Sequence, residues 1–393
     1  MKYVLTDGSL HESLKPFTWT RAVSDLRVGI LCIHEKWSKF TGITPEILTT
    51  EELQPLYTHP SLGEAVYIQA GILPNSSLVK ALEGLQLGEV LVNDQGFIAY
   101  RSLRFESDDQ LSVFKPVSYT GPIIRIERPW DLFLHNDEAL RSDYQLLTSG
   151  RESAPLPPGN QYIGTDIFLE PGAQVYASVL NASTGPIYIG ADSEVMEGCL
   201  VRGPFSLGAH STLKMGAKIY EGSTFGPYCK IGGEVNNSIF FAYSNKAHDG
   251  FIGNSVIGEW CNIGADTNNS NLKNNYAEVK LWDYRTQRFQ KTGSQFCGLI
   301  MGDHSKVGIN VMFNTGTVVG CNTNIFGAGF PRNFIPSFSW GGAASYKTYN
   351  IDKAFEVAEA VMKRRNKVLT EEDRKILIHV YNQTAPFRSW EKE

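Results

Sequence analysis

The 393-residue sequence has few cysteines, no long apolar run and little excess of either charge. Its six cysteines are scattered singly, with no C-x-x-C pair, which indicates reduced thiols and a cytoplasmic protein. No apolar stretch approaches the roughly 18 residues of a membrane span, and the first residues lack the apolar core of a signal peptide. The formal net charge of −5 argues against a nucleic-acid surface. We therefore expect neither membrane nor nucleic-acid partners.

What the sequence does contain is a bulky apolar residue at every sixth position over a long central stretch. The uninterrupted run consists of Ile189, Val195, Val201, Leu207, Leu213, Ile219, Phe225 and Ile231. The same period occurs, in other frames, at Ile163, Leu169, Val175, Phe251, Ile257, Ile263, Met301, Val307, Phe313, Val319 and Ile325. A period of six is neither helical nor alternating. It predicts a left-handed parallel β-helix, in which three hexads close one triangular coil.

Composition and pattern divide the chain into successive parts. Residues 1–147 alternate short apolar strands with helices, which predicts an α/β domain of Rossmann-like type. Residues 148–160 are rich in Pro, Gly and Ser and predict a linker. We expect the β-helix over residues 161–330, interrupted by an insertion at 268–297, and a C-terminal helical cap over 331–393. The clearest elements of the first domain are two strands, a hairpin and a last helix, predicted at 3–5, 65–68, 89–100 and 131–147.

The hexad repeat is broken around His248, where Lys246 and Asp249 also occur. Positions that elsewhere fill a core are polar here, so this stretch has given up packing for another role. Imidazole is the side chain best suited to proton transfer near neutral pH. The residues alone leave two interpretations open, a catalytic histidine or one that only forms hydrogen bonds at a corner.

The segment 247–270 resembles the acetyltransferase half of the bifunctional N-acetylglucosamine-1-phosphate uridyltransferase/glucosamine-1-phosphate acetyltransferase family. The shared elements are a His, an aromatic residue three positions later, an Ile-Gly hexad and the run Asn-Ile-Gly-Ala-x-Thr, which here are His248, Phe251, Ile257-Gly258 and Asn262–Thr267. The resemblance implies that His248 takes a proton from the 2-amino group of glucosamine-1-phosphate, so that the amine attacks acetyl-CoA. It also implies a homotrimer.

The same resemblance implies further contacts. Substrate-binding roles fall on Lys246, Asn262, Thr267, Asn275, Tyr276 and Lys280, and contacts to CoA fall on Ala328 and Arg332. The sequence departs from the family at two places. Asn236-Asn237 stands where the family has lysines, one of which binds the sugar phosphate, and Lys246 or Lys218 is a candidate replacement. Phe251 replaces a tyrosine, which removes a hydroxyl contact.

The N-terminal domain resembles sugar nucleotidyltransferases. Pro16-Phe17-Thr18 matches their Pro-Leu-Thr, although the loop after the first strand keeps only Gly8 and Ala22-Val23 replaces Pro-Lys. The resemblance implies that Gly8, Arg21 and Arg27 bind nucleotide phosphates, through backbone N–H or guanidinium groups. It also implies that Asp7 or Asp94 holds Mg²⁺, whereas an aspartate on its own is more often a turn residue.

The leading hypothesis is an enzyme of sugar-nucleotide biosynthesis. It would N-acetylate glucosamine-1-phosphate with acetyl-CoA and join the product to a nucleoside triphosphate, which gives UDP-N-acetylglucosamine and pyrophosphate. Two alternatives stay open. One is a thymidylyl- or uridylyltransferase whose β-helix is only an oligomerisation scaffold. The other is a non-enzymatic assembly module.

Overall fold

The structure is a computed structural model that describes residues 1–391. Its chain forms two compact units. Unit 1 comprises Met1–Leu26 and Leu31–Asp131, and unit 2 comprises Arg27–Ile30 and the chain from Leu132 onward. The predicted boundary at residue 147 differs from this division. Helix Asn136–Thr148 belongs to unit 2, because Asn136 donates hydrogen bonds to Gly222 O at 2.7 Å and to Thr224 Oγ1 at 3.0 Å.

Unit 1 is an α/β fold around one mixed sheet. Its strands are β1 Tyr3–Thr6, β2 Glu46–Leu48, β3 Ala65–Gln69, β4 Glu89–Asn93, β5 Gly96–Ser102 and β6 Lys115–Ser118. Their order is β2-β1-β3-β5-β4-β6, with β1 parallel to β2 and β3, and β5 antiparallel to β3 and β4. The predicted strands at 3–5 and 65–68 and the hairpin at 89–100 are therefore present.

The helices of unit 1 lie between its strands along the chain. The α-helices are α1 Leu10–Ser13, α2 Ile33–Thr41 and α3 Ser76–Gly84, and the 3₁₀ helices are Phe17–Trp19, Val23–Asp25, Gln54–Leu56 and Asp108–Val113. Helix α3 begins after Asn75, whose side chain accepts a hydrogen bond from Leu78 N at 2.9 Å, which satisfies a free donor of the first turn. Helix α2 ends at Gly42, whose φ of 71° is a left-handed conformation that glycine adopts without strain.

Unit 2 is a left-handed parallel β-helix with three faces, as predicted. The first face consists of β7 Gln161–Ile163, β10 Val179–Asn181, β13 Leu200–Arg202, β16 Lys218–Ile219, β19 Glu234–Asn236 and β22 Phe251–Gly253. The second face consists of β8 Ile167–Leu169, β11 Ile187–Ile189, β14 Phe205–Leu207, β17 Ser223–Phe225, β20 Ile239–Phe240, β23 Val256–Ile257, β28 Leu299–Met301, β31 Thr317–Val319 and β33 Phe334–Ile335.

The third face carries the strands that matter most for the candidate site. These are β9 Gln174–Val175, β12 Glu194–Val195, β15 Thr212–Leu213, β18 Lys230–Ile231, β21 Asn245–Lys246, β24 Asn262–Ile263, β29 Lys306–Val307, β32 Asn324–Ile325 and β34 Ser339–Gly341, with β35 Tyr346–Thr348 added antiparallel. The coils thus continue past residue 330, where the prediction ended them, because Ile335 still packs into the core.

The core of the β-helix is the stack of inward side chains. All eight hexad residues from Ile189 to Ile231 are at most 2% exposed and belong to one apolar cluster, as do the predicted residues from Met301 to Ile325. Two hexad assignments were wrong by one residue. Ile252 rather than Phe251 is inside, and Ile163 is 45% exposed while Tyr162 packs on the core. A shift of one residue moves a strand side chain to the opposite face.

Two remaining strand pairs and the helices complete unit 2. Strand β25 Asn268–Asn269 pairs with β30 Met312–Phe313, and the insertion contains an antiparallel hairpin, β26 Lys280–Asp283 and β27 Arg288–Lys291. The helices are α4 Asp131–Leu134 at the unit boundary, α5 Asn136–Thr148, α6 Ile351–Lys363 and α7 Glu371–Thr384, followed by 3₁₀ helices Ala385–Phe387 and Ser389–Glu391. All six cysteines lie among the described residues, and none of them forms a disulfide bond there. Within residues 1–391, no helix combines the length and apolarity of a membrane span.

We name two corners of the β-helix for use below. The second corner is the turn from a second-face strand to the following third-face strand. Five residues at this corner have a left-handed backbone, with φ of 58–62°, and their aromatic or imidazole rings stack on one another. They are His210, Tyr228, Tyr243, Trp260 and His304. The third corner is the turn from a third-face strand to the next first-face strand. The C-terminal helices approach the second corner, where Arg365 Nη2 donates to Tyr228 O at 3.3 Å.

Candidate functional site

The candidate site is centred on the third corner at residues 247–250, and the corner of the preceding coil is unusually short. That corner is only Gly232–Gly233, whereas four residues turn the chain at 196–199, 214–217, 247–250 and 264–267. Gly233 has a φ of 72°, and a Cβ there would lie 2.9 Å from His248 O. We call this short corner, which lies between the corners 214–217 and 247–250, the notch. Two strand spacings make these flanking corners about 10 Å apart.

His248 lies on the far side of this notch and its side chain is exposed to solvent. It follows β21, which pairs with β18 through Asn245 and Lys246. The carbonyl oxygen of His248 accepts a hydrogen bond from Lys246 Nζ. An exposed imidazole on an anchored backbone can exchange protons with a ligand in solution.

Lys246 does not contact solvent at all, so its predicted direct role in binding substrate is wrong. Its side chain is 0% exposed and takes an inward position opposite Ile231. Nζ donates to the carbonyl oxygens of His248 and, at 2.9 Å, of Asp249. Burial lowers the pKa of Lys246 to about 8, although the carboxylates of Asp249 and Asp266 act in the opposite direction.

The next coil brings Asn262 and Thr267 close to this corner, in different environments. Asn262 is exposed on the third face and is the register partner of Asn245. Thr267 is 0% exposed, and its hydroxyl donates to Gly308 O at 2.9 Å. The structure thus leaves Asn262 able to meet a ligand, whereas Thr267 closes the coil, which contradicts its predicted substrate contact.

The other predicted substrate residues lie in the insertion. Asn275 and Tyr276 are exposed, and Asn275 Oδ1 accepts from Ala277 N at 3.1 Å. Lys280 begins β26, and the next residue but one, Trp282, stacks on Phe334 of the second face at 4.3 Å. Strand β26 therefore packs against the second face, whereas β21, the strand that precedes His248, belongs to the third face. The roles of these three residues stay predictions.

Ala328 and Arg332 are exposed; Ala328 follows β32 at the third corner, whereas Arg332 lies two residues before β33 of the second face. Three strand pairings, from β21 through β24 and β29 to β32, separate Ala328 from the coil of His248. At one strand spacing per coil, Ala328 is about 14 Å further along the same corner. Their predicted contact with CoA is not tested by this placement.

A group of cations beside the notch escaped the sequence analysis. It consists of Lys214, Lys230, Arg364 and Arg365, and we call it the cationic cluster. Burial lowers the pKa of Lys230, and the charges of Arg365, Lys214 and Arg364 lower it further. Lys214 lies in the third corner one coil before Gly232, and its Cβ would be 3.2 Å from a Cβ built at Gly232. The signal in the sequence was the run Lys363-Arg364-Arg365-Asn366-Lys367 between two helices.

In unit 1, Asp7 and Asp94 do not form a magnesium site. Asp7 is 2% exposed, and its carboxylate accepts from Val23 N at 3.0 Å and from Thr49 Oγ1 at 2.6 Å. Asp94 is exposed in the turn between β4 and β5. No group of three potential ligands from His, Cys, Asp and Glu occurs in residues 1–391. Asp7 therefore stabilises the loop after β1, and these residues do not fit a bound Mg²⁺.

The predicted phosphate-binding residues belong to two different units of the chain. Gly8, at φ 48°, is exposed in the turn after β1, and Arg21 is 8% exposed in unit 1, whereas Arg27 belongs to unit 2. The charge of Arg21 acts on Asp25. Burial tends to raise the pKa of Asp25, but hydrogen bonds from His34 Nδ1 and the Tyr57 hydroxyl reverse this and lower it. Arg21 is thus part of a buried polar network.

Comparisons with known proteins found one family model and several solved structures to which the chain is similar. Residues 3–152 match the family described as sugar nucleotidyl transferase. The polySia specific acetyltransferase NeuO is 12% identical, over 52% of this chain and 94% of its own, with a TM-score of 0.28. A UDP-N-acetylglucosamine acyltransferase from Arabidopsis is 14% identical, over 53% and 77%, with a TM-score of 0.24. LpxA from Bacteroides fragilis, also a UDP-N-acetylglucosamine acyltransferase, is 13% identical, over 58% and 97%, with a TM-score of 0.23.

No curated protein matches the sequence. The family match confirms the expectation that the protein is an enzyme of the transferase class, and it confirms the likeness of the N-terminal part to sugar nucleotidyltransferases. It covers fewer than half of the residues of the chain.

Proposed function

We propose that unit 2 transfers the acetyl group of acetyl-CoA to the amino group of a phosphorylated amino sugar, with glucosamine-1-phosphate as the leading substrate. The observation that carries this proposal is the exposed imidazole of His248 beside the notch, on a backbone anchored from within the coil. The motif shared with the acetyltransferase family covers the same corner. Amino sugars are protonated near pH 7, so a positioned base is what the reaction needs.

In this reaction the ammonium group of the sugar first releases one proton to solvent, and His248 then accepts a second proton from the amine nitrogen as it attacks. The amine lone pair attacks the thioester carbonyl carbon, and the developing oxyanion requires hydrogen-bond donors nearby. The tetrahedral intermediate then collapses. The new C–N bond remains, the C–S bond breaks, and CoA leaves as a thiolate that takes up the proton. The products are the N-acetylated sugar phosphate and free CoA.

The cationic cluster supplies the charge that the phosphates of both substrates require. Lys214 lies one coil before the notch, Lys230 lies two residues before Gly232 in the same coil, and the charge of Arg365 acts on Lys230. Guanidinium and ammonium groups bind phosphate through charge-assisted hydrogen bonds. These residues, rather than the buried Lys246, are our candidates for the phosphate contact that Asn236 and Asn237 cannot provide.

For unit 1 we propose nucleotidyl transfer to the acetylated sugar-1-phosphate, giving UDP-N-acetylglucosamine and pyrophosphate. The match of residues 3–152 to sugar nucleotidyl transferases supports this second activity. A cytoplasmic homotrimer is part of the same proposal. Its support is the first face of the β-helix, where Ile163, Leu200 and Tyr220 are 41–53% exposed and could meet another copy.

The acetyl-transfer proposal is tested by measuring CoA thiol release with acetyl-CoA and glucosamine-1-phosphate. We expect His248→Ala to lower kcat by about 10²–10⁴-fold, the usual contribution of a general base. His210→Ala is the matched control, because His210 is also an exposed histidine of this β-helix, and it should leave kcat unchanged. Failure of the wild-type protein to release CoA with any of a panel of amino sugar phosphates would remove the proposal.

The nucleotidyl-transfer proposal is tested by pyrophosphate release from UTP or dTTP with N-acetylglucosamine-1-phosphate or glucose-1-phosphate, with and without Mg²⁺. Release with UTP and the acetylated sugar supports the full proposal. Release only with glucose-1-phosphate, together with no CoA release, would favour the alternative in which the β-helix is a scaffold. If neither activity is detected, the non-enzymatic assembly module is left.

A further inference from the structure

Lys246 occupies a position that apolar residues fill in the other coils. The third-face stack of inward side chains is Val175, Val195, Leu213, Ile231, Lys246, Ile263, Val307 and Ile325. Lys246 alone in this row carries a charge, and it is 0% exposed. A buried ammonium group is unfavourable unless hydrogen bonds compensate it. An apolar side chain would fill the same space without that cost.

The partners of this ammonium group are two backbone carbonyls of the corner, those of His248 and Asp249. Closing the coil does not require the lysine. The corners after Val195 and Ile263 also have four residues and follow apolar inward side chains. Lys246 must therefore have a role at this corner other than closing the coil, because the corners after Val195 and Ile263 close without a lysine.

The hydrogen-bond ladder along the third corner shows what differs. At other corners the second residue after the inward side chain accepts from the next coil: Ala177 O from Gly198 N at 3.0 Å, Glu197 O from Gly216 N at 3.0 Å and Ala265 O from Asn310 N at 2.8 Å.

After Lys246 the third residue takes over this role, since Asp249 O accepts from Asp266 N at 3.0 Å. The carbonyl of the second residue, His248, is turned to the lysine instead. The carbonyl of His248 thus does not accept the hydrogen bond from the next coil that is regular at this corner, and it accepts one from Lys246 Nζ instead.

We propose that Lys246 is a positioning residue, which fixes the backbone of residues 248–249 from inside the coil and so holds the imidazole of His248 at the notch. This inference rests on the proposed acetyl transfer. It reassigns the lysine from substrate contact to support of the base. A base displaced by about 1 Å can cost roughly 10²-fold in rate.

The test compares Lys246→Met with Lys306→Met. Methionine is unbranched and about as long as the lysine stem, so it suits the apolar stack. Lys306 is the matched control, because its Nζ donates to the corner carbonyls of Trp260 and His304, away from His248. We expect Lys246→Met to fold, to lose about 10–100-fold in kcat for CoA release, and to change KM for the amino sugar much less. Lys306→Met should keep the wild-type kcat.

Hydrogen-exchange mass spectrometry of the same proteins gives a readout that needs no activity. In Lys246→Met we expect amides of residues 247–250 to exchange roughly tenfold faster than in wild type, with residues 214–217 unchanged. A wild-type kcat in Lys246→Met would overturn the inference. If the wild-type protein itself releases no CoA, the proposed function has failed, and exchange alone then decides: faster exchange supports the anchoring, and equal exchange refutes it.

Discussion

At the scale of single residues, the charge on Lys246 links stability to pH. Burial lowers the pKa of this ammonium group from 10.5 to about 8 in the folded protein, against the opposing carboxylates of Asp249 and Asp266. Below pH 8 both the folded and the unfolded chain carry the proton, and the cost of burying the charge is fully present. Between pH 8 and 10.5 the unfolded chain binds more protons, so the free energy of unfolding rises with pH.

The prediction compares wild type with Lys246→Met in urea unfolding at several pH values. Near pH 7 the variant should be the more stable, by up to about 3 kcal/mol at 1.36 kcal/mol per unit of pKa. The difference should shrink steadily towards pH 10.5. A difference that does not vary with pH would show that the lysine is not buried as a charged group.

A second residue-scale prediction concerns Lys230, whose neighbours in the cationic cluster are Lys214, Arg364 and Arg365. Lys230→Ala should raise KM for acetyl-CoA about tenfold, since a charge-assisted hydrogen bond is worth about 1.5–3 kcal/mol. Lys353→Ala, at an exposed lysine paired with Glu356 in α6, is the control and should leave KM unchanged. An unchanged KM in Lys230→Ala would place the phosphates elsewhere.

At the scale of elements, the first face is continued by asparagine side chains where its regular ladder stops. Asn269 Oδ1 accepts from Gly253 N at 2.9 Å, and its Nδ2 donates to Gly253 O at 3.1 Å. Asn268 Oδ1 accepts from Phe251 N at 2.7 Å. The side-chain amides thus form the hydrogen bonds that backbone peptide groups would otherwise form between β22 and β25. The insertion that follows can leave the coil without exposing unpaired backbone.

This arrangement predicts unequal effects of two neighbouring substitutions. Asn269→Ala removes a side chain that is 3% exposed and leaves the backbone of Gly253 unpaired, so we expect a loss of about 2–3 kcal/mol. Asn268→Ala, at an exposed position, should cost about 1 kcal/mol or less. Chemical denaturation measures both. Equal costs at the two positions would argue against the amide ladder.

The elements also show why the sequence predicted the β-helix but not the details of the candidate site. The period of six located the β-helix, because inward apolar side chains must repeat once per strand. It could not indicate that Lys246 points inward, since a lysine in a hexad is ordinarily counted as surface. Thr267 and Asp7 matched motif positions, but only their hydrogen-bond partners, Gly308 O and Thr49 Oγ1, show that they are structural. The cationic cluster joins residues about 150 positions apart, which no local pattern connects.

At the scale of the whole molecule, the two units each have their own core and their own candidate residues. We therefore predict that acetyl transfer and nucleotidyl transfer can be lost separately. His248→Ala should lower kcat for CoA release by about 10²–10⁴-fold but leave pyrophosphate release from UTP and N-acetylglucosamine-1-phosphate unchanged, with both assays run on one preparation. A parallel loss of both activities would mean that His248 supports the fold rather than the chemistry.

A crystal structure of the protein with bound CoA tests most directly whether the corner at His248 is the site of acetyl transfer. We expect the CoA sulfur to lie at the notch, either in contact with the His248 imidazole or joined to it by one bridging water molecule. We also expect at least one CoA phosphate on Lys214, Lys230 or Arg365. CoA bound on another face, with its sulfur remote from His248, would contradict the assignment of this corner as the site of acetyl transfer.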